Sequence, residues 1–166
     1  MAMPSVLVEQ CTQLLVEQKL KIAFVESATA GRLAAEFSLT QQAGQCLLGS
    51  LVCYDACIKQ NLLKVPKALI DQFSPESAEV TQLITQNLKQ FFDTDIRVGV
   101  TGLASSGGSE TPQKPVGTMF FHMIIREQVY THREVFQGDP EEIVLQAIDR
   151  IAQLIMQYVN QQSTNK

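Results

Sequence analysis

A serine, a tyrosine and a lysine stand at the ends of two apolar runs in this sequence, and together they make a plausible catalytic set. Ser27 lies in Val25-Glu26-Ser27-Ala28-Thr29-Ala30-Gly31, after the run Ile22 to Val25 and before the helix-like Arg32-Leu33-Ala34-Ala35-Glu36-Phe37. That is a strand-to-helix turn, where unpaired N–H groups carry the positive end of the helix dipole and suit an anion or a nucleophile. Ser27 or Thr29 would serve equally as an N-cap. Tyr54 and Lys59 flank a second such junction, Cys53-Tyr54-Asp55-Ala56-Cys57-Ile58-Lys59, after the run Leu47 to Val52. A lysine desolvated among neutral groups loses proton affinity and can take a serine's proton, while a tyrosine hydroxyl can relay or orient it. Read singly, Lys59 is also a solvated helix charge and Tyr54 a half-buried strand end.

A third segment, Thr101 to Thr118, packs glycines, hydroxyls and one lysine between two apolar runs. Gly107 and Gly108 lack the Cβ atoms that hold a backbone away from a ligand, so consecutive N–H groups there can point at an anion. With Thr101, Ser106, Ser109 and Lys114 they form a candidate cradle for an anion such as a phosphate. The competing reading is a long flexible hairpin connection.

These three segments need an element order that brings them to one edge. Apolar periodicity predicts a helix over Ser5 to Gln18, a strand over Ile22 to Val25 and a helix over Ala30 to Ser38. It continues with a strand over Leu47 to Tyr54, a helix over Ala56 to Leu63 and a long amphipathic helix over Pro75 to Phe92, with Val80, Ile84, Leu88 and Phe91 at helical spacing. A buried strand over Ile96 to Val100 leads into the glycine loop. Met119 to Ile125 and Val129 to Phe136 read as an antiparallel hairpin across Arg126-Glu127-Gln128, and Pro140 to Tyr158 as a closing helix. The expectation is an α/β fold: a three-layer α/β/α sandwich with a mixed, mostly parallel sheet and an antiparallel hairpin near the C-terminus, in a single domain over residues 1–166. In such a sheet the carboxyl ends of the parallel strands share one edge, where side chains from separate junctions converge.

Taken jointly and in this order, the segments resemble the CinA C-terminal domain family, whose stand-alone members are nicotinamide mononucleotide deamidases. The family's Glu-Ser-Cys-Thr-Gly-Gly is present as Glu26-Ser27-Ala28-Thr29-Ala30-Gly31, and its Thr-Tyr-Ser-Asn-x-x-Lys as Cys53-Tyr54-Asp55-Ala56-Cys57-Ile58-Lys59. Its Gly-Ile-Ala-Gly-Pro-Gly-Gly loop is Gly102 to Gly108, and its Lys-Pro-Val-Gly-Thr is intact as Lys114 to Thr118. The resemblance implies hydrolysis of the nicotinamide carboxamide to the acid and ammonia, in pyridine-nucleotide recycling, with no metal and no cofactor. Ser27, Tyr54 and Lys59 become the catalytic residues. Thr29, Gly31, Thr101, Ser106, Gly107, Gly108, Ser109, Lys114 and Arg133 become the substrate contacts, and a homo-oligomer is implied.

The chain also departs from the family pattern. Where members carry Gly-Ser-Ser before the second strand, this sequence has Gly44-Gln45-Cys46. Ser50, four residues before Tyr54, would sit about 13 Å from it along a strand and is a poor substitute. Two family glycines are replaced, by Ala30 and Ser105. The Gly-Asp-Arg and second arginine expected near the C-terminus are Gly138-Asp139-Pro140 and Val144-Leu145, leaving Arg133 as the nearest cation. These departures support an alternative: a paralogue that binds a nucleotide or a partner without turnover.

Composition excludes other classes. The 166 residues are 45% hydrophobic and 18% charged, ordinary for one globular domain. A net charge of −4 without a Lys/Arg cluster argues against a nucleic-acid partner. The longest apolar stretch, Met119 to Ile125, is too short to span a bilayer, so no membrane role is expected. Cys11, Cys46, Cys53 and Cys57 lack paired metal-ligand spacing, and no secretory signal opens the chain, which points to reduced thiols in the cytoplasm. Cys46 and Cys53 read as small core hydrophobes, and His122 and His132 as structural residues of the hairpin. Only the polar tail from Asn160 to Lys166 suggests disorder.

Overall fold

The computed structural model describes residues 4–164. Its centre is a five-stranded sheet of β1 (Ile22–Glu26), β2 (Leu47–Val52), β3 (Ile96–Gly102), β4 (Thr118–Ile125) and β5 (Gln128–Val135), in spatial order β2-β1-β3-β4-β5. β1 pairs parallel with β2 and β3, whereas β4 pairs antiparallel with β3 and β5 with β4. The helices are α1 (Val6–Glu17), α2 (Arg32–Ser38), α3 (Ala56–Asn61), α4 (Lys67–Phe73), α5 (Ala78–Asn87) and α6 (Pro140–Thr164), with short 3₁₀ turns at Ala43–Gln45 and Leu88–Gln90. The expected three-layer α/β/α sandwich is therefore present.

Strand alternation sends apolar side chains into two cores, because both faces of β1, β3 and β4 are covered. On one face Phe24, Val98, Phe121 and Met123 pack with Leu15 of α1, Phe37 of α2 and Ile148, Ile151 and Ile155 of α6. On the other, Ala23, Val25 and Cys53 pack with Leu63, Ile70, Val80, Ile84 and Leu88. α5 lies close on this face because Gly99 has no side chain: a Cβ there would stand 1.9 Å from Thr85 Oγ1.

Three expectations need correction. The helix expected over Pro75 to Phe92 is shorter, and α4 precedes it as a separate element. Ser74 lies between them at φ 76°, ψ 159°, which no helix tolerates, and the Ser77 hydroxyl caps α5 by accepting from the Val80 amide. Val80, Ile84 and Leu88 are buried as expected, but the chain tightens after Asn87 and leaves Phe91 exposed. The hairpin turns on two residues rather than three. Arg126 and Glu127 both take positive φ, and Gln128 already pairs with Ile125; that turn is usually marked by Asn-Gly, which is absent. The C-terminal tail is helical through Thr164, held by Gln162 Nε2 donating to the Ile125 carbonyl at 3.0 Å and to Tyr130 Oη at 3.1 Å.

Candidate active site

β1, β2 and β3 point their carboxyl ends at one edge, and each is followed by one of the three segments singled out above. The helices that follow β1 and β2 pack on opposite faces of the sheet, so this edge is a topological switch point, where open α/β sheets hold ligands. A cleft of about 240 Å³ lies there, lined by Ser27, Ala28, Tyr54, Glu76 and the loop from Gly102 to Gly108.

Ser27 leaves β1 with its amide on the Val100 carbonyl and is 4% exposed. Lys59 comes from α3, which starts at Asp55 because the Asp55 carboxylate accepts from the Cys57 amide at 2.7 Å. Its side chain is 0% exposed, and Lys59 Nζ lies 2.9 Å from Ser27 Oγ and 3.1 Å from the Tyr54 carbonyl. Among the described residues no carboxylate is within salt-bridge distance of this ammonium. Burial therefore lowers the Lys59 pKa, with Cys53, Glu76 and Asp55 opposing the shift weakly. A buried lysine sharing a proton with a serine hydroxyl is a base ready to activate it.

The structure brings Tyr54 to the cleft in a different role from the one expected. It lies beyond β2, 67% exposed, and its carbonyl rather than its hydroxyl meets Lys59. The phenol makes no hydrogen bond among the described residues and relays nothing between Ser27 and Lys59.

Several expected ligand contacts are committed internally. Glu26, wholly buried at the end of β1, accepts from Thr29 Oγ1 at 2.7 Å, the Gly31 amide at 2.9 Å, the Leu33 and Ala34 amides at 3.0 Å each, and Ser50 Oγ at 2.7 Å. This carboxylate holds the first turn of α2, and Thr29, Gly31 and Ser50 serve it rather than a ligand. Thr101 Oγ1 is buried 2.8 Å from Thr81 Oγ1. Lys114 Nζ spends its three donors on Ser74 Oγ (2.6 Å), the Glu76 carbonyl (3.0 Å) and Ser109 Oγ (2.7 Å). Ser109 in turn donates to Glu76, so Lys114 and Ser109 latch the glycine loop to the segment before α5. Arg133, on edge strand β5, donates to the Gln113 carbonyl at 2.5 Å and stacks over Phe120, away from the Ser27 cleft. Ser106, Gly107 and Gly108 do line the cleft, but the Gly107 amide donates to Glu110 Oε1 at 2.7 Å.

Glu26, Glu76 and Glu110 are the residues that motif reading passed over. A carboxylate closing an apolar strand three residues before a threonine is a visible signal for the first. Nothing local marks Glu76, which reaches the cleft only through folding.

The four cysteines are free, with Cys11, Cys46 and Cys53 buried, and burial pushes the Cys53 thiol up to about 11. His122 Nδ1 lies 3.0 Å from Thr131 Oγ1, and His132 Nε2 lies 2.6 Å from Tyr158 Oη. Among the described residues no group of three His, Cys, Asp or Glu side chains could hold a metal, and no helix is long and apolar enough to cross a membrane.

Fold and site together define an open-sheet α/β protein with a serine–lysine cleft at its switch point. A profile of the CinA C-terminal domain matches residues 5–159, and the chain belongs to that family. A CinA-like protein of Petrotoga mobilis is 37% identical over 130 residues, covering 78% of this chain and 32% of that protein. One from Thermotoga maritima is 33% identical over 131 residues, covering 79% and 32%. The chain thus spans about a third of the length of these curated relatives. A solved structure of a competence-damaged protein (CinA) superfamily member from Klebsiella pneumoniae superposes with a TM-score of 0.84 at 26% identity, covering 90% of this chain and 92% of that one. A competence/damage-inducible protein from Agrobacterium tumefaciens shares the fold, with a TM-score of 0.85 at 20% identity over 94% and 98% of the chains.

Proposed function

We propose that the chain is an amidohydrolase that converts the carboxamide of nicotinamide mononucleotide to the carboxylate and ammonia in the cytoplasm. One observation carries the reading: the buried Lys59 ammonium lies 2.9 Å from Ser27 Oγ, and among the described residues no carboxylate pairs with it. Neutral Lys59 accepts the Ser27 proton as Oγ attacks the carboxamide carbon. The Ala28 amide, which follows the nucleophile at the cleft and makes no backbone hydrogen bond among the described residues, is the donor available to the developing oxyanion. Lys59 then delivers the proton to the leaving nitrogen, releasing ammonia and leaving an acyl ester on Ser27. A water that gives its proton to Lys59 hydrolyses that ester, and the proton returns to Ser27. The exposed Tyr54 ring offers a face to the cationic pyridinium.

A second reading, a nucleotide-binding module without turnover, has its own support: Thr29, Thr101, Lys114 and the Gly107 amide are consumed within the chain. Ammonia release from nicotinamide mononucleotide by the purified protein separates the two. The amidase reading expects release that Ser27→Ala abolishes. No ammonia at any substrate concentration would leave the binding module.

A further inference from the structure

The glycine loop already holds an anion, and that anion is a side chain of the loop itself. Gly107 takes φ +94°, which favours glycine, and its N–H meets Glu110 Oε1 at 2.7 Å. The Gly107, Glu110 and Gly108 amides, the first most strongly, hold the Glu110 carboxyl below the usual carboxylate range. Among the described residues the Gly107 N–H is the amide hydrogen-bonded to this carboxylate, and successive backbone N–H groups in a glycine loop of this kind form anion-binding nests. Gly107 and Gly108 also line the cleft that contains Ser27, and among the described residues, its two chain neighbours aside, no atom lies within 4 Å of where a Gly107 Cβ would be. Glu110 itself is exposed, so its carboxylate can swing into solvent without disturbing the core. Lys114, fixed by its three acceptors, adds positive charge to the same loop.

We propose that this nest is an anion subsite whose resting occupant is Glu110, and that a phosphate monoester binds it by displacing that carboxylate. A phosphate dianion brings more charge and more acceptor oxygens to the same donors than a carboxylate does. Glu110 then acts as a built-in competitor that keeps the donors satisfied in the free chain and sets a threshold for weakly charged ligands. The identity of the natural phosphate ester rests on the reading of the cleft as a nucleotide site; the subsite itself rests on the loop.

The test uses inorganic phosphate as probe, titrated by calorimetry near neutral pH at constant ionic strength. Glu110→Ala and Glu110→Gln should each bind phosphate about tenfold tighter than the unmodified chain, as expected for removing a like charge a few ångströms away. Glu17→Gln, which removes the same charge at the end of α1, should change affinity by less than about twofold at that ionic strength. Equal affinity across all four proteins, or no phosphate binding by any of them, overturns the subsite. Ammonia release is read separately on the same samples. No turnover with phosphate binding tightened by Glu110→Ala keeps the subsite and removes the amidase; turnover with unchanged phosphate affinity does the reverse.

Discussion

At the scale of single residues, Lys59 is where stability and chemistry oppose each other. Burying its ammonium without a carboxylate partner costs stability and creates the base. Lys59→Met keeps the volume and removes the charge, so it should lower turnover by about a hundred- to ten-thousand-fold while the melting temperature holds or rises. Lys59→Ala should instead unfold more easily by about 2–4 kcal/mol, because a fully buried side chain leaves a cavity. A catalytic lysine on a pocket edge would tolerate that truncation; this fully buried one should not. Denaturant titration beside the ammonia assay separates the two effects. The pH dependence follows from the depressed Lys59 pKa. Activity should rise with unit slope in log kcat/KM as pH climbs to that value and then level, as the base loses its proton. Stability should move the same way. Between the native value and the ordinary lysine value the unfolded chain holds a proton that the native chain lacks, so this group's penalty is full below that window and fades as pH rises through it.

At the scale of elements, the turn from β1 into α2 is held by Glu26. Five donors converge on its carboxylate, three of them amides from Gly31 and the first turn of α2. Glu26→Gln puts an amide group among those donors, and the chain should lose about 2–4 kcal/mol in urea unfolding. Ser50→Ala removes one donor and should cost about 1 kcal/mol. If both variants melt like the parent, the carboxylate does not organise the turn. Within the same turn Ala30 sits at φ 47°, a left-handed conformation that is costly for any residue with a Cβ. Ala30→Gly should therefore stabilise the fold by about 0.5–1 kcal/mol, and calorimetry showing no gain would mean that the turn relaxes around alanine.

Across the whole molecule, α6 joins the far ends of the chain. It packs on α1 beneath the sheet, and its last turns clamp the β4–β5 hairpin through Gln162, while Tyr158 stacks on Tyr130 with ring centroids 3.7 Å apart. Removing residues 160–166 should lower unfolding stability by about 1–2 kcal/mol through the lost hydrogen bonds. A dispensable tail would leave the unfolding midpoint where it is, so one thermal scan decides the point.

The order of strands, every helix except α4, both apolar faces of the sheet and the Ser27–Lys59 pair were legible in the sequence. Burial periodicity is local, and a residue that ends an apolar run must sit at a sheet edge. The family motifs carried the rest of that reading. What the sequence could not show is which polar groups satisfy one another. Thr29, Gly31 and Ser50 looked like ligand contacts or stray hydroxyls until folding placed them around Glu26. Lys114 and Ser109 looked like part of a phosphate cradle until Ser74 and Glu76, more than 30 positions away, proved to be their partners. Tyr54 kept its place at the cleft and lost its expected relay, because its carbonyl meets Lys59 while the side chain stays exposed. Hydrogen-bond partnership depends on ångström distances between segments remote along the chain, so the sequence by itself determined the layers and the candidate chemistry. Tertiary structure decided which donors remain free to do it.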